Sequence, residues 1–489
     1  MKYGVSRIIG ALALVAACLQ LGPALAQSKP NEVKIAIVQF LSGAAAPHDA
    51  SSVNTAKLLT EQFNAAGGIG GVHLNTIYID EAGSTTDKVA EYRRLVQDEK
   101  VSIMIGYTSS ANCLAVAPLA DELKTLTIFQ VCANYRLFDK GVYKYVFRTS
   151  SHSAADNVAA AHYVLALKPN LKTIAGVNYD YAYGRDSWEV FKRAILNLKP
   201  DVKVVGELWP KILSTEYSSE ISRLLALKPD VIHTVNWGAG LTSFINQAET
   251  RGLFDQSLVV MTTGLLSQAE MLPKGVAFSG RGYNPQYPDP DKYAPNRDYL
   301  KSYKAKFNTL PDYTGYFMAQ AFYGLKAAIE KAIKTKNGGW PSNEEIGAAM
   351  DGLAFDTPRG QVHMRQDHEA LNEVSWGLIS GRKNAEFGFP VLDHFRVFSP
   401  ADTMPPEGKK TIDWLESWPT KKYRRRPFPG RGRSMGGSAS SEADAAFVSD
   451  ARANVRAFCG RLSGISAGPK GYSRCGCHEF PADHSDRRH

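Results

Sequence analysis

The stretch Lys34-Ile-Ala-Ile-Val-Gln-Phe40 decides the fold, because it is a short and almost continuous apolar run. Such a run predicts a strand that is buried on both faces, as in a parallel sheet. The next residues repeat apolar side chains at helical spacing from Val53 to Ala66, and Gly67-Gly68 ends this helix. The chain therefore begins its folded part with a βα unit.

The same unit recurs along the chain. Further strands are predicted near 73–79, 101–106, 126–131, 173–179, 203–209, 230–237 and 258–264, with helical patterns between them. Repeated βα units imply right-handed crossovers and parallel sheets covered by helices on both faces. The rhythm breaks between residues 145–149 and the helix that begins near Ser153. We therefore predict an α/β protein with two parallel sheets rather than one.

The N-terminus has the pattern of a secretory signal. Lys2 and Arg7 precede an apolar run from Ile8 to Leu21, and Ala24-Leu25-Ala26 provides the small residues of a cleavage site. This order predicts a signal peptide over residues 1–26 and export to the periplasm. The alternative is lipidation of Cys18, but the later cleavage site fits the end of the apolar run better.

The positive charge of the chain lies mostly in its C-terminal tail. The net charge is +9, and residues 419–489 contain 14 basic against 6 acidic residues. The remaining chain is nearly neutral, which argues against a basic groove for nucleic acid. The tail is polar, rich in glycine and serine, and poor in apolar periodicity. We predict that residues 419–489 are largely disordered.

Motifs for catalysis, metals and cofactors are weak. The chain contains no H-E-x-x-H motif, and the glycines at 67–71 follow a helix rather than a strand. His233 lies in an apolar strand, and Cys475-Gly-Cys477-His478 stands alone in a polar tail. We therefore expect neither a cofactor nor a metal, and we expect that the protein is not an enzyme.

The informative residues follow the predicted strands. Strand ends carry Leu41-Ser-Gly43, Tyr107-Thr-Ser-Ser110, Cys132-Ala-Asn134, Tyr179 to Gly184 and Trp237-Gly238. Ligands of open parallel sheets bind beyond this carboxyl edge, where helix N-termini offer unpaired N–H groups. Hydroxyl and N–H groups suit a small carboxylate or amide, whereas tyrosine and tryptophan cover apolar ligand surface.

Four stretches carry a resemblance to a known family: Lys34 to Val38 with Leu41-Ser-Gly43, Asn64 to Ile69, Met104 to Ser110, and Asp180 to Arg185. Over roughly residues 31–398 the chain resembles the leucine/isoleucine/valine-binding type of periplasmic receptor. The resemblance implies the type I periplasmic binding fold, in which two Rossmann-like lobes are joined by a three-strand hinge. It also implies a small-molecule ligand, docking to an ABC permease with its ATPase, and a monomer.

On this basis we assign 31–149 plus 281–357 to lobe 1 and 150–280 plus 358–400 to lobe 2. The hinge crossings are then expected near residues 149–151, 279–283 and 357–361. The lobes are expected to close around the ligand by bending at these crossings.

The resemblance also implies ligand-binding residues. Ser110 and the loop Cys132-Ala133-Asn134 match the places that hold a ligand carboxylate in the family. His48, Tyr183 and Trp237 match side chains that the first loop and the second lobe supply. Thr263 stands where amino-acid binders place an acid against the substrate ammonium.

The threonine at position 263, in the place of an acid, affects which ligand is expected. A buried ammonium group without a counter-charge is costly, so an amide, a urea or an aromatic carboxylate competes with an amino acid as the expected ligand. A regulatory module of the same fold, which senses its ligand and delivers no cargo, is the alternative function.

A disulfide is predicted between Cys113 and Cys132. Cys113 lies in the helix after the strand that ends at Gly106, and Cys132 follows the strand that ends near Val131. If these strands are neighbours, both cysteines lie at the same sheet edge within bridging distance. An oxidising compartment permits the bond, and two buried free thiols are the alternative.

Overall fold

The computed structural model describes residues 29–139, 141–281, 293–336 and 338–418. The predicted signal peptide with Cys18, the tail 419–489 and the Cys475-Gly-Cys477-His478 segment lie outside the described residues. Among the described helices, none is long and apolar enough to cross a membrane.

The described strands and helices alternate through the first two thirds of the chain. The strands are β1 (Glu32–Gln39), β2 (His73–Asp80), β3 (Ile103–Gly106), β4 (Leu126–Phe129), β5 (Val146–Arg148), β6 (Thr173–Val177), β7 (Lys203–Leu208), β8 (Val231–Thr234), β9 (Leu258–Met261), β10 (Ala277–Phe278), β11 (Ala354–Thr357), β12 (Gly360–Met364), β13 (Ala370–Leu371), β14 (Val374–Lys383) and β15 (Pro390–Phe398). The helices are α1 (Ala46–Ala65), α2 (Thr85–Gln97), α3 (Ser110–Glu122), α4 (Ser153–Leu167), α5 (Ala182–Leu198), α6 (Ser218–Leu227), α7 (Gly238–Thr250), α8 (Leu253–Gln256), α9 (Leu266–Ala269), α10 (Ala294–Phe307), α11 (Tyr313–Thr335), α12 (Asn343–Met350), α13 (Pro400–Thr403) and α14 (Thr411–Glu416).

The first sheet is parallel throughout, with the strand order β2-β1-β3-β4-β5. Its interior strand β1, between β2 and β3, is buried on both faces, as the apolar run predicts. Ile35 and Ile37 belong to the core that includes α1 and α11, whereas Ala36 and Val38 belong to the core that includes α2 and α3. The alternation of side chains along a strand therefore divides one apolar run between two cores.

The second sheet has the order β15-β14-β10-β9-β8-β6-β7. Strands β6 to β10 pair in parallel, which confirms a second α/β lobe. Strands β14 and β15 pair antiparallel at one edge, so this sheet is mixed rather than purely parallel.

The described segments between residues 149 and 373 place three passages of the chain between the two sheets. The chain passes after β5, after β10 and again between β13 and β14. The third crossing differs from the predicted position at 357–361. Val362, Met364 and Ala370 lie in the core of the first sheet, so residues 360–371 belong with lobe 1 and the crossing lies at residues 372–373. Alternating apolar residues predict these strands but do not specify which sheet the strands cover. The other lobe boundaries stay predictions.

Candidate ligand-binding site

A cavity with about 250 Å³ of empty space, including solvent at its opening, lies where the carboxyl edges of the two sheets face each other. Lobe 1 lines it with His48, Thr108, Ser110, Val131, Ala133 and Tyr313. Lobe 2 contributes Tyr181, Tyr183, Trp237 and Thr263, and Arg281 lies at the second crossing between them. The carboxyl edges thus bring together residues that are far apart in the chain.

Six of the residues predicted to bind ligand line this cavity: His48, Ser110, Ala133, Tyr183, Trp237 and Thr263. Two others do not. Cys132 is buried and forms a disulfide with Cys113, with the two Cα atoms 6.3 Å apart. Asn134 is buried as well, and its amide donates a hydrogen bond to Asp186 of the second lobe. Both residues therefore act behind the wall of the cavity, on either side of Ala133.

His48 stands in a buried chain of hydrogen bonds. Its Nδ1 lies 2.7 Å from Asp49 Oδ1, and its Nε2 lies 2.6 Å from the hydroxyl of Tyr313. In the neutral imidazole, Nδ1 therefore donates to the carboxylate and Nε2 accepts from the phenol. Asp49 also accepts from the hydroxyl of Thr108 at 2.9 Å. These bonds fix the orientation of three residues that line the cavity.

A second buried acid holds the loop that precedes helix α3. Glu81 accepts from the backbone N–H groups of Thr108 at 2.6 Å and Ser109 at 2.9 Å, and from the amide of Asn112 at 3.0 Å. Burial, together with the nearby charge of Asp49, raises the pKa of Glu81 to about 8. Glu81 thus holds this loop from the side away from the cavity. Ser110, which lines the cavity, has no hydrogen bond to another described side chain.

The wall from lobe 2 is aromatic. The indole Nε1 of Trp237 donates to the hydroxyl of Tyr181 at 2.7 Å, and the Trp237 ring lies 5.0 Å from the ring of His48. The hydroxyl of Tyr183 is buried and has no hydrogen-bond partner among the described residues. Thr263 donates its hydroxyl proton to the carbonyl of Asn236. The wall therefore offers ring faces and one uncommitted phenol.

Arg281 is the main residue that the sequence prediction missed. Its guanidinium is 1% exposed and donates through Nε to Asp156 at 3.0 Å, through Nη1 to the carbonyl of Val131 at 2.7 Å, and through Nη2 to the carbonyl of Ser151. Burial opposes its charge, but Asp156 offsets this effect and raises the pKa of Arg281. An arginine has five N–H hydrogens, so two remain beside the cavity.

A signal for Arg281 is present in the sequence. It follows the short strand β10 and therefore lies at the same carboxyl edge as the predicted residues. The prediction treated residues 279–283 as a hinge and did not assign the arginine to the site. Tyr313 was also missed, and Thr108 and Tyr181 belong to predicted strand-end stretches but were not assigned to the ligand. Tyr313 begins a helix that follows no strand, so the strand-end rule does not apply to it.

The residues that line the cavity include no aspartate or glutamate. Asp49, Glu81 and Asp156 lie nearby, but each is engaged by protein donors. The cavity therefore presents mainly donors: the remaining N–H groups of Arg281 and the hydroxyls of Ser110 and Tyr183. Such a site matches a ligand that brings acceptor oxygens.

Two curated proteins illustrate the sequence similarity. The leucine-specific-binding protein of Salmonella typhimurium is 26% identical over 230 residues, which cover 46% of this chain and 60% of that protein. The chain thus spans less than two thirds of this relative. The leucine-, isoleucine-, valine-, threonine- and alanine-binding protein of Pseudomonas aeruginosa is 23% identical over 76% of this chain and 95% of its own length.

Solved structures share the fold. A solute-binding protein of an ABC transporter from Rhodopseudomonas palustris BisB5, in complex with 3,4-dihydroxybenzoic acid, has a TM-score of 0.66 at 20% identity and covers 76% of this chain and 98% of its own. A solute-binding protein from R. palustris in complex with benzoate has a TM-score of 0.65 at 21% identity and covers 74% and 98%. The periplasmic binding protein family profile matches residues 32–377. The chain belongs to the periplasmic binding protein family.

Proposed function

We propose that this chain is a periplasmic receptor that captures a small carboxylate and delivers it to an ABC importer of the branched-chain amino-acid type. Family membership and the names of the relatives support the receptor role. The proposal includes cleavage of the signal peptide 1–26, docking of a monomer to a permease with its ATPase, and binding without chemical conversion.

The position of Arg281 is the observation that carries the choice of ligand. Its two remaining N–H groups lie beside a cavity whose lining residues include no acid. A carboxylate placed there forms charge-assisted hydrogen bonds, and the hydroxyls of Ser110 and Tyr183 add two donors. An α-amino acid would bring an ammonium group to a cavity without a facing carboxylate, and burying that charge is costly.

The aromatic wall defines the rest of the ligand. Trp237, Tyr181 and Tyr183 offer ring faces for an apolar or aromatic body. The empty space between the lining residues is about 250 Å³ and includes solvent at the open side, so it sets an upper limit on the ligand volume. A single-ring aromatic acid or a short branched acid fits these limits, and the benzoate-bound neighbours are consistent with that class.

Two matched pairs of compounds test this choice. Thermal shift and calorimetry would compare benzoate with benzamide, and 4-methylpentanoate with leucine, which has the same carbon skeleton plus an ammonium group. We expect each acid to bind more tightly than its partner. A ligand at 100 times its Kd adds about 2.7 kcal/mol to the stability. Tighter binding of leucine than of 4-methylpentanoate would overturn the carboxylate proposal.

The receptor role has its own test. Ligand recovered from a stoichiometric complex after prolonged incubation is expected to be chemically unchanged by NMR. Small-angle scattering is expected to show compaction of the protein on ligand addition, because hinge bending closes the lobes. Conversion of the ligand would instead indicate an enzyme.

A further inference from the structure

Asn134, which the sequence prediction assigned to the ligand, joins the two lobes instead. Its Nδ2 donates to Asp186 Oδ2 at 2.7 Å, and Arg136 Nε donates to Asp186 Oδ1 at 2.8 Å. Asp186 lies on α5 of lobe 2 and is 5% exposed. Burial raises its pKa, whereas Arg136 and Asn134 oppose that shift. We call Asn134, Arg136 and Asp186 the interlobe clasp.

The lobe 1 side of the clasp is held rigidly. The Oδ1 of Asn134 accepts from the backbone N–H of Arg136 at 2.8 Å, which points the amide nitrogen towards Asp186. The carbonyl of Asn134 accepts from Arg148, which also pairs with Glu369. Tyr135, between the two clasp residues, packs in the core of lobe 2. The loop therefore has fixed partners on both sides of the interlobe boundary.

The clasp adjoins both walls of the cavity. Ala133 immediately precedes Asn134, and Tyr183 lies one helical turn before Asp186 on α5. Ala133 and Tyr183 also pack with Val235 in a small buried cluster that spans the lobes. Any movement at the clasp therefore shifts a lobe 1 wall residue and a lobe 2 wall residue together.

We propose that the interlobe clasp is a positioning device that keeps the lobes closed on a bound ligand without touching that ligand. Separation of the lobes would expose Asp186 to water, which solvates a carboxylate well. In the closed protein, Asn134 and Arg136 take the place of that water, and loss of either removes the partner of one carboxylate oxygen of the buried Asp186. The clasp therefore acts selectively on the closed state. The test by ligand dissociation rests on the proposed function, whereas the test by hydrogen exchange does not.

Stopped-flow dissociation of benzoate, followed by the intrinsic tryptophan fluorescence of the protein, measures this selectivity. Asp186→Asn is expected to raise the dissociation rate about tenfold while the association rate stays nearly unchanged. Arg136→Asp is expected to act in the same direction. Combining it with Asp186→Arg restores the pairing with exchanged charges, so the double variant is expected to recover slow dissociation. Glu189→Gln is the matched control, because Glu189 lies on the same helix and pairs with Arg193 within lobe 2.

Amide hydrogen exchange provides a readout without ligand. Asp186→Asn is expected to raise exchange in residues 134–138 and in the first turns of α5, whereas Glu189→Gln leaves both unchanged. The exposed Arg136→Ala variant answers the same question if the Asp186 variants do not fold. Wild-type dissociation and wild-type exchange in folded clasp variants would overturn the proposal. Absence of benzoate binding by the wild type would count against the proposed ligand, and exchange alone would then decide on the clasp.

Discussion

The two walls of the cavity are built in different ways. On the lobe 1 wall, the buried acids Asp49 and Glu81 hold Thr108 and the backbone of Ser109 by hydrogen bonds, and Ser110 follows directly on this loop. On the lobe 2 wall, Tyr183 and Trp237 are held mainly by packing, and many of their neighbours are other aromatic rings.

The lobe 1 wall is suited to orienting a ligand, whereas the lobe 2 wall is suited to providing contact area. Hydrogen bonds are directional and fix where a polar head group can lie, whereas aromatic faces give large contact area with weaker directional demands. Arg281 stands between the walls, at a crossing, and supplies the positive charge. We therefore expect the ligand head group to lie against lobe 1 and Arg281, and the ligand body to lie against lobe 2.

The largest expected effect concerns the acid behind the lobe 1 wall. The folded-state pKa of Glu81, about 8, lies above its ordinary value. The folded protein therefore binds the carboxyl proton of Glu81 more tightly than the unfolded chain does. The stability that this proton contributes is lost as the pH rises through the folded-state pKa. Between pH 5 and pH 8, urea unfolding of the wild type should lose up to ~4 kcal/mol through this group.

Glu81→Gln removes the titrating group, so its stability should change less with pH over the same window. The exposed Glu122→Gln on α3 is the control and should retain the wild-type slope. Equal slopes in all three proteins would show that Glu81 is not held in a protonated state by burial.

The next effect concerns the charge between the walls. The double variant Asp156→Asn with Arg281→Gln removes the cation without leaving Asp156 unpaired. Benzoate affinity is expected to fall roughly 100-fold, or about 3 kcal/mol, because a buried charge-assisted contact is lost. Calorimetry with benzoate and benzamide measures the loss, which should be much smaller for the amide. Equal losses for both compounds would place the carboxylate elsewhere.

The disulfide braces the lobe 1 wall next to Ala133. Replacing Cys113 and Cys132 by alanine is expected to lower the free energy of unfolding by about 3 kcal/mol, because the cross-link restricts the unfolded chain. Denaturant unfolding with and without reductant measures the effect, and reductant should leave the double variant unchanged. Peptide mapping of unreduced periplasmic protein provides the direct check. Recovery of both cysteines as free, alkylatable thiols would refute the bond.

The aromatic wall is tested at its largest ring. Trp237→Ala should weaken benzoate binding by about 1–3 kcal/mol through lost contact area. Trp237→Phe keeps a ring but loses the hydrogen bond to Tyr181, so its loss should be smaller. Wild-type affinity in the alanine variant would remove Trp237 from the ligand site.

The smallest expected effect is that of a single hydroxyl on the polar wall. Ser110→Ala should cost about 1 kcal/mol in benzoate affinity, the usual net value of one hydrogen bond. Calorimetry would compare it with Thr263→Val on the opposite wall, whose hydroxyl donates to the protein backbone. A larger loss of affinity from Thr263→Val than from Ser110→Ala would reverse the assignment of the head group to lobe 1.

The strand-end rule predicted much of the cavity and failed in specific places. It identified Ser110 and Ala133 because each directly follows a parallel strand of the first sheet. Asn134 follows the same strand as Ala133, but its amide donates to Asp186 and it does not line the cavity. The direction of a side chain after a strand depends on the partners available in three dimensions, and those partners are not adjacent in the chain.

The sequence by itself determined the βα series, the parallel strands of the two sheets and the edge at which most of the cavity-lining residues collect. These follow from local apolar periodicity and from the handedness of crossovers, which act over tens of residues. It also indicated the neighbouring positions of Cys113 and Cys132, because adjacent strands bring successive loops to one edge.

Only the tertiary structure decided the charge of the site and the limits of the lobes. Arg281 becomes a cavity residue because Asp156, 125 residues away in the chain, pairs with it in the buried hinge region. Residues 360–371 join lobe 1 because their apolar side chains find space in its core. Both outcomes depend on burial and charge pairing between distant segments, and local sequence patterns carry no information about which distant segments meet.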